Sequence, residues 1–428
     1  MKDESKRQSG HGENPMNPSR RRFIRNTATA AALAAAGPAI LSKYSVAETQ
    51  PIPIGTIVSM TGYLSDQGQN VVDGVQLAVE DVNRKGGLLG RPVTLLVRDD
   101  AMKATEGRRR FEELVSAEHI VMHTGSVFAP VGSSIQQDNK SMGDKAIVLF
   151  TSTTFPDNQA PRFMQPRLFF IGSTLEGFGL VGGEFMSKYV GKKTVIMYTD
   201  YAGWGWAIRD AFLKTAKANG AEILSMIPVP PSTNDFQPFL TQVMAKQPQY
   251  VTCIINGMMF VNCMKQAYAM GMKDTMKFVT FQANIEEING CGPEVIKDVY
   301  IVTDYFWNLP NPKNQDFVTR FQQKYGSARR PSMRSFLHYT SVLIWADAVR
   351  KCGTIDPKAV AAAMEGVRGD YGKGEIHIRE TGDHTTVQPI VVARGKGQKE
   401  MKDRFDTQEI VRVYSGEQYF YSAKEKGW

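Results

Sequence analysis

The sequence predicts an α/β protein of two lobes, each built on a mostly parallel sheet with helices on its faces. Three observations carry this. After residue 50, ten short runs rich in Val, Ile, Phe and Tyr alternate with segments of helical periodicity. Most of these runs are apolar throughout, the pattern of strands buried on both faces. Their spacing breaks near residue 170 and has no eightfold rhythm, which fits two open sheets better than one barrel.

In chain order the strands are "IPIGTIV", "PVTLLVRDD", "HIVMHTG", "AIVLFTS", "RLFFIG", "KTVIMYTD", "AEILSMIPV", "QYVTCIIN", "KFVTFQ" and "VYIVTDY". Helices are predicted over 69–85, 102–117, 130–142, 174–190, 204–219, 234–246, 258–271, 313–325 and 333–351. The ending "GEIHIRETGDHTTVQPIVVARG" reads as a hairpin or meander. Repeated βα units imply right-handed crossovers. The first lobe is assigned 52–171 with 304–372, and the second 172–303 with 373–428. Ligands of such Rossmann-like sheets sit beyond the carboxyl ends of the strands, so the strand-to-helix turns are the candidate site.

The 428 residues, 42% of them hydrophobic, suffice for two or three domains with their own cores. No apolar run reaches the roughly 18 residues of a membrane span. The most apolar stretch, "ATAAALAAAGPAIL", follows "SRRRFIR" (Ser19 to Arg25) and precedes Ser45-Val46-Ala47. Basic, weakly apolar and small-x-small, in that order, is the layout of an export signal, here of the twin-arginine type. Residues 1–47 are therefore predicted to be a signal peptide handled by the Tat translocase. They hold eight of the 51 basic and three of the 43 acidic residues, which leaves the rest of the chain at about +3. The basicity belongs to the signal and does not argue for a nucleic-acid partner. Cys253, Cys263, Cys291 and Cys352 match no zinc spacing, and at most one disulfide is expected among them.

Catalytic and cofactor patterns are weak. Gly177-x-Gly179-x-x-Gly182, followed by Asp200, matches the dinucleotide fingerprint, and an exported NAD(P)-dependent oxidoreductase is one alternative reading. However, "STLE" separates the first glycine from the strand. Ser173 and Glu176 form a capping-box pattern there, so the glycines read better as helix-packing positions. His119 and His123 lie on a strand-like run and do not converge as a metal pair. Asp383-His384 reads as a solvated turn, and "EGRRRFEEL" as a solvated helix face. No nucleophile elbow, zinc-protease motif or phosphate loop is present, so no enzyme, cofactor or metal is predicted.

Three strand ends carry small or hydroxyl residues: "SMTG" (59–62), "TGSVFAPVGSS" (124–134) and "FTSTTFP" (150–156). Hydroxyls and free N–H groups there suit a carboxylate, with no general base beside them. "IPIGTIVSMTGYLSDQGQNVVDGVQLAVEDVNRKGGLLGRPVTLLVRDDAMKATEG" resembles the opening of the leucine/isoleucine/valine-binding protein family, and the likeness extends over nearly all of 52–390 through "GSVFAPVGSSI", "AIVLFTSTTFP", "TVIMYTDYAGWGWAIRDAF" and "KQAYAMGM".

The resemblance implies the type I periplasmic binding fold and a monomeric solute receptor of an ABC importer. Such a receptor lies in the periplasm, binds a small molecule between its lobes and delivers it to a permease. A ligand sensor on the same fold is the other alternative. The resemblance places Ser59, Thr61 and Gln67 on the first wall. Ala129, Thr153 and Thr154 fall at the carboxylate-binding turns, Trp204 at an aromatic position and Asn256 at a strand end. Gln282 stands where the family has the acid that meets an α-amino group. Ala129 has no hydroxyl and Gln282 no charge, so an amide or an aromatic or aliphatic carboxylate becomes as good a candidate as an amino acid. Phe128, Phe155 and Trp204 are available to form an apolar wall.

Overall fold

The computed structural model describes residues 50–62, 64–143, 145–151, 161, 164–200 and 203–428. The signal segment 1–47 and three candidate site residues, Thr153, Thr154 and Phe155, lie outside them. The first lobe contains β1 (Ile52–Val58), α1 (Ser65–Arg84), β2 (Val93–Asp99), α2 (Ala104–Ser116), β3 (Met122–Thr124), α3 (Ala129–Ser141), β4 (Ile147–Phe150) and β5 (Leu168–Phe170). These strands form a parallel sheet of order β2-β1-β3-β4-β5.

The chain then builds α4 (Leu175–Tyr189), β6 (Lys193–Thr199), α5 (Trp204–Ala218), β7 (Glu222–Val229), α6 (Gln237–Lys246), β8 (Tyr250–Ile254), α7 (Gly257–Ala269), β9 (Lys277–Phe281), α8 (Ile285–Cys291), α9 (Pro293–Ile296) and β10 (Val299–Thr303). Their parallel order, β7-β6-β8-β9-β10, repeats that of the first sheet. In this winding the connections diverge after the first and third strands in each lobe, which opens a crevice at the carboxyl ends.

All ten predicted strands are present. The chain returns to the first lobe with α10 (Pro312–Tyr325), α11 (Met333–Cys352) and α12 (Pro357–Met364). It then forms β11 (Arg368–Asp370), β12 (Glu375–Ile378), β13 (Thr386–Val387), β14 (Ile390–Gly395) and β15 (Gln408–Tyr414). The meander divides between sheets. β12 pairs with β11 and β13, whereas β14 runs antiparallel to β10 and extends the second sheet, with β15 at its edge. Ile376 and Ile378 of β12 are buried in the first lobe's core, so the small sheet spans residue 372. The sequence reading lacked α8, α9, α12, β11 and β15. α8 has only seven residues, and β15 leaves Val411 and Val413 exposed at the edge.

The glycines near α4 are packing positions. The N-cap is Thr174, whose hydroxyl accepts from the Gly177 N–H at 3.1 Å, one residue beyond the expected Ser173. The Ser173 N–H instead donates to the Asp304 Oδ1 at 3.0 Å. A Cβ on Gly179 would lie 2.4 Å from the Ile208 carbonyl oxygen, and one on Gly183 2.4 Å from that of Phe212. The backbones of α4 and α5 therefore touch. Gly179→Val is expected to cost about 1–3 kcal/mol or more by overpacking. Chemical denaturation checks this, and an unchanged midpoint would show that the helices separate freely.

Two further histidine readings change. Asp383 and His384 are buried, not solvated. The Asp383 carboxylate accepts from the Thr381 and Thr385 hydroxyls at 2.8 and 2.7 Å and meets Arg379 and Lys426; burial pushes its pKa up, but Lys426 and the two hydroxyls outweigh it and hold it down to about 2. His384 stacks on Phe169, with ring centroids 4.2 Å apart. His123 is buried edge-on against Phe111, while His119 is exposed in the preceding turn. Among the described residues no cluster of His, Cys, Asp and Glu could hold a metal ion, and all four cysteines are free thiols. No described helix is long and apolar enough to cross a membrane.

Candidate functional site

The carboxyl ends of the two sheets meet where the lobes join. From the first lobe come the turn 59–62, the turn 125–128 and the start of α11. From the second come the starts of α5, α7 and α8. A side-chain hydrogen bond links the two sides: Asn70 Nδ2 on α1 donates to Glu286 Oε1 on α8 at 3.0 Å. Beside it, a narrow cavity is lined by Asn284 and Ile288 of the second lobe, Tyr305 and Trp307 of the connecting segment, and Ser332 and Met333 ahead of and within α11.

The first turn is fixed by the acidic pair that ends "PVTLLVRDD". Ser59 is fully buried and its Oγ donates to Asp100 Oδ1 at 2.8 Å. Thr61 Oγ1 donates to Asp99 Oδ2 at 3.0 Å, and the Met60 N–H to Asp99 Oδ1 at 2.9 Å. Each hydroxyl has committed its one proton to a carboxylate and has none left to donate to a solute. Desolvation pushes Asp99 up, but the N–H groups of Ala101 and Met60 and the Thr61 hydroxyl outweigh it and hold the pKa below the usual value. Gln67, in the first turn of α1, accepts from Arg334 Nε at 3.0 Å. The pair meets because α1 and α11 pack backbone to backbone: a Cβ on Gly74 would lie 2.1 Å from the Ser335 carbonyl oxygen.

Ala129 is the first residue of α3, half-buried, and Phe128 before it packs on the first lobe's core. Thr151, the last described residue before segment 152–160, is buried and shares a 2.7 Å hydrogen bond with His338 Nε2. Burial pulls the His338 pKa down to about 3, so the ring is neutral.

In the second lobe, Trp204 opens α5 after Gly203, whose φ of 104° a side chain rarely adopts. Its Nε1–H donates to Gln282 Oε1 at 2.8 Å. An indole N–H can only donate, so this contact assigns the amide: the carbonyl faces Trp204 and the NH₂ has no partner among the described residues. Gln282 itself has φ of 53°, a left-handed backbone uncommon outside glycine. Asn256 caps α7 through its backbone and is exposed.

Glu287, which with Glu286 follows Gln282 closely in the sequence and is the other place the family's acid could fall, ties two of these turns together. Its carboxylate accepts the Gly257 N–H at 2.7 Å and the Asn284 N–H at 2.6 Å, completing the capping box of α8. The Asn-x-x-Glu of "NIEE" was the available signal. Burial nevertheless pushes its pKa up to about 7. The native pKa lies above the unfolded value near 4.5, so the native state binds this proton more tightly. Its contribution is fully present below about pH 4.5 and is lost as pH rises through 7. His338, held low, has the opposite sign below its ordinary pKa. The expected result is therefore a difference: Tm of the wild type minus Tm of Glu287→Gln falls between pH 4.5 and 8. A flat difference curve would show that Glu287 has no shifted pKa.

A family model described as "Periplasmic binding protein" matches residues 51–400. A Leu/Ile/Val-binding protein of Rhizobium johnstonii is 27% identical over 199 residues, which is 46% of this chain and 52%, about half, of that protein. A leucine-, isoleucine-, valine-, threonine- and alanine-binding protein of Pseudomonas aeruginosa is 23% identical over 372 residues, covering 82% of this chain and 91% of that one. Among solved structures, an amino acid ABC transporter substrate-binding protein from Pseudomonas fluorescens superimposes with a TM-score of 0.80 at 21% identity, over 88% of this chain and 98% of its own. An ABC transporter solute-binding protein from R. palustris in complex with benzoate does so at 0.72 and 18%, over 85% and 96%.

Proposed function

We propose, from the premise that this chain belongs to the periplasmic binding protein family, that it is the solute receptor of an ABC importer. The family comprises ABC transporter substrate-binding proteins for amino acids or aromatic acids, with the type I fold. The proposed cycle is binding in the crevice, closure of one lobe on the other about the connecting segments, and handover to a membrane permease. The solute leaves chemically unchanged, and no cofactor takes part. We place the protein in the periplasm after twin-arginine export, working as a monomer.

The observation that carries the reading is the Asn70–Glu286 contact at the mouths of two equally wound sheets. It supports a crevice that two lobes close. Gln67, Trp204 and Gln282 are proposed to line it, with Thr153 and Thr154 contributing from segment 152–160. The packing of Gly179 and Gly183 against α5 disfavours a dinucleotide site on α4.

A thermal-shift screen of amino acids, amides and aromatic and aliphatic acids tests the reading, because a ligand bound only by the native state raises Tm. A solute that raises Tm and is recovered unaltered is the expected result. Turnover of that solute would point to an enzyme instead. Co-purification with a permease separates an import receptor from a ligand sensor on the same fold.

A further inference from the structure

Arg334 occupies an unusual position in this crevice. It lies in the first turn of α11, directly after Ser332 and Met333, which line the cavity facing Asn284 and Ile288 of the second lobe. Its Nε is held by Gln67. One turn further on, His338 holds Thr151 at the start of segment 152–160, and His338 Nδ1 lies 2.8 Å from the Arg334 carbonyl oxygen. The guanidinium is thus set between the first-lobe turns and the second lobe.

Its Nη groups have no carboxylate within ion-pair distance among the described residues. Glu287, Glu286 and Asp304 act on it only through space. Each of these acids is engaged elsewhere. Glu287 accepts two backbone N–H groups, Glu286 accepts Asn70, and Asp304 accepts Lys373 and the Ser173 N–H. A partly buried guanidinium with its fork unpaired is costly unless something anionic completes it. The free amide end of Gln282 adds N–H donors, not acceptors, to the second lobe. Donors and a cation together fit a solute acceptor of negative charge.

We infer that Arg334 anchors the carboxylate of an anionic solute in this crevice, and that Gln67 orients its guanidinium. This rests on the solute-receptor reading and names its ligand class: a carboxylic acid bearing no ammonium group that needs a counter-charge. Gln282 brings no charge and Glu287 is turned into the α8 cap, so of the acids beside Arg334 at the crevice only Glu286, already held by Asn70, is left to meet an ammonium, and the leucine titration reads whether it does.

Matched pairs test this by calorimetric titration: benzoate with benzamide, isovalerate with isovaleramide, and leucine. On the wild type, the acids are expected to bind tighter than their amides and tighter than leucine. Arg334→Met is expected to weaken the acids by about 10- to 100-fold, the scale of a charged hydrogen-bonding pair. It should leave the amides within about threefold, a smaller change than the loss of even one such contact. Arg334→Lys, which keeps the charge without the fork, should fall between. Unaltered thermal unfolding of the ligand-free variants checks that they fold. If Arg334→Met weakens acids and amides alike, Arg334 latches the lobes together and the anchor is overturned. Amides binding as tightly as acids to the wild type would also overturn it, while leaving the solute-receptor reading intact. If no acid, amide or amino acid binds the wild type, both fall together.

Discussion

Lys373→Met is expected to destabilise the protein by about 3–5 kcal/mol, the cost of leaving one member of a buried ion pair alone. Lys373 and Asp304 are both almost wholly inaccessible, with side-chain exposures of 0% and 1%. The ammonium donates to Asp304 Oδ1 at 3.2 Å and to the Asp304 carbonyl oxygen at 3.0 Å. Asp304 follows β10, where the chain crosses back to the first lobe, and its Oδ1 also accepts the N–H of Ser173, where the chain first crosses over. Lys373 lies between β11 and β12 of the small sheet. A methionine fills the same space without the charge, so the loss reads the stranded carboxylate rather than a cavity.

Adding Asp304→Asn should recover much of the loss, because the amide oxygen still accepts the Ser173 N–H while the charge is gone. Chemical denaturation of both variants checks this. A loss under about 1 kcal/mol in the single variant, or no recovery in the double, would show that the pair is hydrated and dispensable. Because the pair joins two interlobe connections, the single variant should also close less firmly on a ligand.

Trp204→Ala is expected to remove most of the solute affinity, by about 2 kcal/mol or more, the scale of an aromatic anchor in a binding surface. The indole is half-buried, packs on the second lobe's core, and fixes Gln282 through its Nε1–H. Truncation removes a wall and leaves the Gln282 carbonyl unpaired, free to turn its donors away. Trp204→Phe separates these effects: it keeps a ring and loses only the hydrogen bond, so it should retain intermediate affinity. Titration of a solute found by the screen measures both. Unchanged affinity in Trp204→Ala would remove the residue from the crevice wall.

Most of the architecture was legible before any coordinates, for a physical reason. Strands buried on both faces must be apolar along their whole length, and helices covering a sheet must repeat at 3.6 residues. The ten strands and nine long helices carried those signals. The elements that went unread were short, like α8, or edge-exposed, like β15, where burial imposes little pattern. Asp383-His384 looked like solvent-facing turn chemistry because polarity was visible and its partners were not. Arg379, Thr381 and Thr385 are close in sequence, but Glu365, Leu168 and Lys426, which complete the burial, are not.

The candidate site divides along the same line. The sequence by itself determined that turns rich in hydroxyls and glycines stand at strand ends, and that Gln282 brings no negative charge. Only the tertiary structure decided what those groups are bonded to. Ser59 and Thr61 face Asp100 and Asp99 across the sheet, Gln282 is held by a tryptophan 78 positions away, and Gln67 by an arginine 267 positions away. A hydrogen bond is a relation between two places, and chain order records only one of them at a time. Arg334, which has no motif of its own, gains its meaning from helix packing that brings two N-termini to one crevice.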